Sequence, residues 1–339
     1  MHPLASSWLA YLAKLLLSLG ILAAVLWQAP TETLWATLAA SRWPLVLLAG
    51  AVVIAGVIVL QAWEIQRSLP LTQRPPVHRL ARINLAMMFY SFFLPTALTF
   101  GVRWAKYRGL GLDAWQSAAL VGLHKLLQLL VACSAFFAAF YLAGLRLPGN
   151  LDTLLWLVAG CFLVVLGYVL LLAGGWRVAL RLPQPPSAAG EGPGGRLLRR
   201  GLNMLSRLAG AMLAFGQLPA REKLLCLTFA GLQHICIVVS AYLAMLAVAP
   251  DTPWLAVVVI RSLLVVLLTL PVSVAGIGVR ELVFFSLFPF YGVSAEEALA
   301  GSLLLLGIQL GIALLGAASE IQQSLWGWWR HRKMKGETP

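Results

Sequence analysis

The chain has 339 residues, of which 60% are hydrophobic and only 11% are charged. Soluble globular proteins carry nearer a quarter of charged residues, so this composition excludes that class and predicts an integral membrane protein. The net charge of +13 comes from 25 basic and 12 acidic residues. No soluble basic domain is present to bind nucleic acid, so we attribute this charge to cytoplasmic loops that face anionic headgroups.

Apolar runs of about 20 residues match the thickness of the hydrocarbon core. They predict an all-α, polytopic transmembrane helical bundle with about eight membrane segments, two of them broken or re-entrant. The first run, Trp8 to Trp27, follows no basic region and precedes no cleavage site, so we predict a transmembrane helix and not a signal peptide. The other predicted segments are residues 43–63, 84–102, 114–141, 151–173, 224–248, 254–270, 281–291 and 298–324.

The distribution of Lys and Arg among the loops predicts the orientation of the chain. Basic residues concentrate in residues 64–83, in residues 174–223 and in the tail 325–339. The intervening loops 28–42, 142–152 and 249–253 are nearly free of Lys and Arg. The basic regions, and with them both termini, are therefore expected in the cytoplasm.

Residues 84–102 have arginines on both sides, with Arg103, Lys106 and Arg108 following them. A full crossing would place one of these basic clusters outside the cell. We therefore predict a re-entrant hairpin that is broken at Pro95, because proline interrupts helical hydrogen bonding. The alternative is an ordinary span with a proline kink.

The stretch Thr269 to Gly292, TLPVSVAGIGVRELVFFSLFPFYG, predicts a second break at Pro271. Helix breaks at membrane depth occur only inside protein or beside a wet cavity, and ionisable residues there indicate a functional site. The basic tail reaches the cytoplasm only if residues 281–291 cross or nearly cross. We therefore predict that they join Pro271–Arg280 as one discontinuous helix.

Residues 1–324 are predicted to form a single transmembrane domain. Within it, the Pro/Gly-rich segment 183–195 is predicted to be a disordered cytoplasmic linker. Polar positions in residues 196–221 recur at steps of three and four, which predicts a basic amphipathic helix on the membrane surface. A solvated linker helix is the alternative.

Two stretches repeat one pattern: a proline, a turn of small residues, an arginine, and then Gly-[Leu/Val]-[Asp/Ser]-Ala before a long helix. The first runs from Pro95 to Ala114 and the second from Pro271 to Ala295. Paired broken segments in two halves are typical of transporters built from inverted repeats, in which they mark the substrate site.

PVSVAGIGVRE followed by YGVSAEEALAGSLLL resembles the C-terminal signature of the lysylphosphatidylglycerol synthase transmembrane region, also called the flippase-like family. LPTALTFGVRWAKYRGLGLDAWQSAALV resembles its N-terminal signature. This chain has Thr99–Val102 where the family has more glycine and an acid, and His124-Lys125 where it has an arginine motif. The resemblance implies a multi-pass protein of the bacterial inner membrane that flips a phospholipid. No synthase domain follows the last span, so we expect a homo-oligomer or a separate partner synthase, and no lysyl transfer by this chain.

A lipid phosphate that crosses the hydrocarbon core needs partners for its charge, and the planar fork of arginine suits phosphate. The predicted headgroup-binding residues are Arg103, Lys125, Arg261, Arg280 and Glu281, with Gly276 and Gly278 as a turn whose N–H groups face an anion. The alternative for Arg280 and Glu281 is a structural salt bridge to another charge, such as Glu320 or Glu64. For Arg103 the alternative is a side chain that only extends to the interface.

The rival class is a membrane-embedded glycosyltransferase or another lipid-modifying enzyme, which needs a catalytic carboxylate or acids that hold a metal. The aspartates, at 113, 152 and 251, form no such pair. The four cysteines and five histidines show no metal-ligand spacing. We therefore expect no catalytic residue, metal or cofactor, and an accessory subunit of an envelope pathway is the third alternative.

Overall fold

The computed structural model describes residues 3–28, 31–94, 96–142, 152–173, 210–269 and 276–334. Every regular element in these residues is helical. The helices are α1 (Pro3–Gln28), α2 (Thr31–Ala39), α3 (Trp43–Arg67), α4 (Val77–Phe93), α5 (Thr96–Arg108), α6 (Ala114–Leu142), α7 (Asp152–Ala173), α8 (Ala220–Leu246), α9 (Trp254–Leu267), α10 (Val279–Leu287) and α11 (Ala295–Met334). The predicted linker 183–195, the two prolines at 95 and 271, residues 196–209 and residues 335–339 lie outside the described part.

Four of the described helices are long and apolar enough to cross a membrane: α3, α6, α8 and the first 29 residues of α11. The pieces Leu15–Gln28 and Glu32–Ala39 meet at 97° and supply a fifth span if they are counted as one. Helices α7 and α9 contribute shorter apolar stretches. The predicted polytopic helical bundle is confirmed.

Helices α3 and α8 pack antiparallel along their length. The Arg42 N–H donates to the Ala247 carbonyl at 3.0 Å, and the Cys226 Sγ lies 3.7 Å from the Glu64 carbonyl oxygen. Between these points α3 contains a π-helical turn, Ile54–Leu60, where a Cβ added to Gly56 would lie 2.5 Å from the Cβ of Cys236. The absence of a side chain at Gly56 therefore lets the two helices approach closely.

This pairing defines two ends of the bundle. At the basic end, Arg67 and Arg74 both bind Glu222, at 3.5 and 2.7 Å. At the opposite end lie Arg42 and Ala247.

Helices α4 and α5 form a hairpin that leaves the basic end and returns to it. The Thr99 hydroxyl donates to the Tyr90 carbonyl at 3.3 Å, next to the break between Phe93 and Thr96. The Gln116 amide donates to Gln73 at 2.9 Å, which ties the start of α6 to the chain before α4. This is the geometry expected of the predicted re-entrant segment.

Helices α9 and α10 form a second hairpin, which enters from the opposite end. A Cβ on Gly276, just before α10, would lie 3.1 Å from the Leu268 side chain at the end of α9. The Trp254 ring lies 5.0 Å from the Tyr242 ring near the end of α8. Gly301, early in α11, contacts the Met245 side chain, so α11 also starts at that end.

The prediction that residues 281–291 cross the membrane is therefore corrected. Helix α9 has 14 residues and α10 has nine, so they span about 21 and 13 Å, well short of the hydrocarbon core. Instead, α9 and α10 return to the end from which they came, and α11 alone leads to the basic end. The cytoplasmic position of the tail stays a prediction, and this path is compatible with it.

The two halves form an inverted repeat, as the sequence predicts. The order α3, hairpin, α6 matches α8, hairpin, α11, and α6 packs on α9 as α11 packs on α4. Gly111 and Gly292, with φ of +89° and +81°, each precede a long helix. Because the equivalent helices α3 and α8 are antiparallel, the halves have opposite orientation.

The helix starts of the two halves are also equivalent. Asp113 accepts from the Trp115 N–H at 2.9 Å, and its own N–H donates to Gln116. The backbone N–H of Trp115, with those of Ala114 and Gln116, lowers the pKa of the Asp113 carboxyl from its ordinary value. Ser294 and Glu297 make a reciprocal pair, with distances of 3.0 and 3.2 Å. Such capping boxes satisfy N–H groups that a helix start leaves free.

Of the predicted surface helix 196–221, residues 210–216 are described as helical, and the helix ends before Pro219. Met212 and Phe215 are buried against Leu123 of α6 and Cys226 of α8. Part of its apolar face is therefore covered by the protein itself.

Candidate functional site

Buried and half-buried polar side chains gather in two clusters, one in each half. The α5 cluster contains Gln61, Glu64, Arg103 and His124. The α10 cluster contains Arg261, Arg280, Glu281, Ser302 and Gln309. Each cluster joins an arginine on the second arm of a hairpin to polar groups on the long helix that follows it.

In the α5 cluster, a buried acid faces a buried histidine. His124 Nδ1 lies 3.0 Å from both carboxylate oxygens of Glu64, whose residue is 1% exposed. His124 Nε2 lies 2.9 Å from the side-chain amide of Gln61. With the Gln61 oxygen toward the histidine, that oxygen also accepts from Arg103 Nη1 at 3.2 Å, and the amide nitrogen donates to Val57 at 2.8 Å.

Lys125 is adjacent to this cluster and is exposed. Its Nζ donates to Gln128 Oε1 at 3.1 Å, and it lies within electrostatic range of Arg103 and Glu64. It stands 11 residues after the start of α6, about 16 Å along the helix. An exposed ammonium at that depth is costly in a membrane unless it meets an anion or water.

In the α10 cluster, Arg280 and Glu281 bind each other. Arg280 Nη2 and Nε donate to Glu281 Oε1 at 2.7 and 3.1 Å, and Nη1 donates to Gln309 at 2.8 Å. Ser302 accepts from Arg280 Nε and donates to Glu281, both at 3.1 Å. Arg280 and Glu281 are 1% and 0% exposed. The described residues offer no acceptor for the two remaining N–H groups of Arg280.

The partners considered for Arg280 in the sequence analysis bind elsewhere. Glu64 pairs with His124, and Glu320 accepts from Lys106 Nζ at 2.8 Å and from the Tyr90 hydroxyl at 2.8 Å. A structural ion pair therefore does exist at Arg280, but its acid is the next residue in the chain.

The turn before α10 is built from Gly276 and Gly278, with φ of +78° and +83°. The Gly278 N–H donates to Glu281 Oε2 at 2.7 Å, so the anion at this N–H is the protein's own carboxylate. A Cβ on Gly278 would lie 2.5 Å from the Ser18 carbonyl oxygen in α1. Glycine is required here both by the backbone angle and by the contact with α1.

Arg261 is the cation of this cluster that binds no acid among the described residues. Its Nε is buried and has no hydrogen-bond partner among the described residues, and its charge acts on Arg280 and on His234. His234 Nε2 lies 3.0 Å from the Ser262 hydroxyl, while its buried Nδ1 likewise finds no partner there.

The clusters lie at different depths along α8. Cys226 contacts Glu64 of the α5 cluster, and His234 marks the level of Arg261. These positions are eight residues apart, or about 12 Å along the helix axis. The Arg67–Arg74–Glu222 group lies a further turn toward the basic end. Charged groups thus follow one another from the basic end toward the middle of the bundle.

The structure brings together Arg261, Arg280 and Glu281, and separately Arg103 and Lys125. Reasoning from the sequence missed Gln61, Ser302 and Gln309 as members of these clusters, and it named Glu64 only as a possible partner of Arg280. Glu64 was detectable because it stands near the end of a long apolar run. Ser302 and Gln309 offered no signal, since both residue types are common in helices. Within the described residues, no three metal-ligating side chains gather in one place.

The sequence matches the family described as lysylphosphatidylglycerol synthase TM region over residues 11–316. The match includes both hairpins and both clusters, and it ends within α11. No curated protein and no solved structure shows significant similarity to the chain.

Proposed function

The chain belongs to the lysylphosphatidylglycerol synthase TM region family, and on this premise we propose that it binds a phosphate-bearing lipid and moves its headgroup across the membrane. The proposed location is the bacterial inner membrane, with both termini in the cytoplasm. Its partners would be membrane lipids, within a homo-oligomer or beside a separate synthase. The protein acts as a transporter and not as an enzyme.

The observation that carries this proposal is the excess of cations in both clusters. Among the described residues, the α10 cluster has Arg261 and Arg280 against Glu281, and the α5 cluster with the adjacent Lys125 has two cations against Glu64. An uncompensated charge at membrane depth is strongly unfavourable. One phosphate in each cluster balances that charge.

The two arginines of the α10 cluster have different roles. Glu281, Ser302 and Gln309 fix the orientation of Arg280, so its two remaining N–H groups point in a set direction. Arg261 supplies the unneutralised charge. A phosphate between them accepts from both guanidinium groups, which are suited to paired hydrogen bonds with its oxygens.

The inverted repeat explains why there are two binding positions for the headgroup, one at each cluster. The α5 cluster belongs to a hairpin that enters from the basic end, and the α10 cluster to one that enters from the opposite end. A headgroup that passes from one to the other advances about 12 Å in depth without losing a cationic partner. Paired hairpins at such positions are the arrangement in which transporters alternate access.

The experiment is a translocation assay with the full chain in vesicles that contain phosphatidylglycerol labelled with a fluorophore in both leaflets. Dithionite added outside bleaches only the outer leaflet unless labelled lipid is moved outward. We expect the wild type to expose the inner pool, and Arg261→Gln to slow this at least about tenfold, the loss expected from one charged hydrogen bond.

Arg221→Gln is the matched control, because Arg221 is exposed at the start of α8 and belongs to neither cluster. If dithionite bleaches the same fraction of the fluorescence in wild-type vesicles as in protein-free vesicles, the proposed function is wrong.

A further inference from the structure

We propose that the Glu64–His124 pair binds one proton together with the lipid headgroup, so that lipid movement is coupled to proton movement. This inference rests on the proposed function and names its co-substrate. It concerns the α5 cluster, where the pair lies beside the cations assigned to the phosphate.

The pair has the features of a proton site. Glu64 and His124 are 1% and 5% exposed and face each other at 3.0 Å. Histidine is the side chain whose ordinary titration falls near neutral pH, and buried acid–histidine chains serve as proton relays in membrane transporters. The ion pair on the basic surface, Arg74 with Glu222, has no such titrating member.

The titratable and charged groups that face the pair come from three helices. They are Arg103 and Tyr107 on α5, Lys125 on α6, and Cys226 on α8. Arg103 and Lys125 are the cations among them, and both are already assigned to the phosphate. Glu64 acts electrostatically on Tyr107, Lys125 and Cys226.

The orientation of the Gln61 amide links the protonation of His124 to the position of Arg103. In one orientation Arg103 has an acceptor, and in the other it does not. When His124 carries hydrogen on both ring nitrogens, Nε2–H donates to the Gln61 oxygen at 2.9 Å. That oxygen then also accepts from Arg103 Nη1 at 3.2 Å, and the amide nitrogen donates to the Val57 carbonyl. All four groups are satisfied, and Arg103 is held in place.

When Nε2 has lost its proton, it requires a donor. The Gln61 amide nitrogen then turns toward it at the same 2.9 Å. This orientation directs N–H groups at Arg103 and an oxygen at the Val57 carbonyl, so like groups face each other. Arg103 loses its acceptor and its fixed position.

Charge favours the same coupling. The empty cluster already has one cation in excess, so a proton on His124 would add a second. A phosphodiester headgroup removes that excess, so the proton binds at a lower electrostatic cost when the headgroup is present. The proton adds to the Nε2 lone pair, and it leaves from the same nitrogen when the phosphate departs.

The test measures translocation of labelled phosphatidylglycerol between about pH 5 and 8. We expect the wild-type rate to rise as the pH falls, by at most about tenfold per unit, which is the limit for one proton. His124→Gln and Glu64→Gln should give rates that do not vary with pH. Glu297→Gln, an exposed acid in the cap of α11, should follow the wild type.

Gln61→Met provides a second variant that keeps the Glu64–His124 pair while removing both amide groups. It should also make the rate independent of pH. A wild-type rate that is flat across this range, or variants that keep its pH dependence, would overturn the coupling and leave the proposed function standing. A wild type that moves no lipid at any pH would overturn both.

Discussion

Arg280 and Glu281 are neighbours in the sequence and also partners in a buried ion pair, with Arg280 Nη2 2.7 Å from Glu281 Oε1. Adjacent residues in a helix normally point in different directions. Here the Glu281 carboxylate turns back to the Gly278 N–H at the start of α10, which places its other oxygen against the guanidinium. One carboxylate therefore caps the helix and fixes the arginine.

Removing one member of this pair should destabilise the protein. Arg280→Ala leaves the Glu281 charge buried without its partner, and we expect a loss of about 3–5 kcal/mol. The double variant Arg280→Ala with Glu281→Ala should lose less than the sum of the two single variants. Denaturation in detergent micelles measures all three. The control is Lys106→Ala, which breaks a half-exposed pair and should cost about 1 kcal/mol or less. Additive losses would mean that the pair is not coupled.

Lys125 should matter for transport and not for stability. It is exposed and binds only Gln128 among the described residues, so Lys125→Gln removes a charge without opening a cavity. We expect the translocation rate to fall at least about tenfold, with an unchanged denaturation midpoint. The matched variant is Lys223→Gln, since Lys223 lies in the first turn of α8, away from both clusters. Equal rates for the two variants would remove Lys125 from the site.

Two glycines with the same backbone conformation should respond differently to alanine. Gly292→Ala places a Cβ in open space, so we expect only the cost of the left-handed conformation, about 1–2 kcal/mol. Gly278→Ala has the same conformational cost and also places the Cβ 2.5 Å from the Ser18 carbonyl oxygen. Its loss should be larger by at least about 1 kcal/mol. Equal losses in the two variants would argue against the packing of α1 on this turn.

The two ends of the bundle should react with reagents on opposite sides of the membrane. Leu110 follows the first hairpin at the basic end, and Asp251 lies between α8 and α9 at the opposite end. A cysteine at 110 should react with an impermeant maleimide only from the cytoplasm, and one at 251 only from outside. The wild-type chain, with its four native cysteines, gives the background. Reaction of both sites from one side would contradict the inverted repeat.

The sequence by itself determined the class of the protein and most of its helices. Long apolar runs can satisfy their backbone only as helices in a membrane, so their bounds follow from hydropathy to within a few residues. The break near Pro95 was also predictable, because proline interrupts hydrogen bonding within its own helix. The two Gly-[Leu/Val]-[Asp/Ser]-Ala turns were also local features. The glycine of each has a positive φ and precedes a long helix.

The tertiary structure decided the path of residues 254–291 and the partners of the buried charges. Loop charge predicts only the side of the membrane on which a loop lies. A crossing by residues 281–291 and a hairpin followed by the span α11 both agree with the loop charges. The inverted packing of α3 on α8 selects the hairpin. Partner choice depends on distances of 3 Å between side chains on different helices, as for Glu64 with His124 or Arg280 with Ser302. No spacing along the chain encodes such distances, because they arise only when the helices pack.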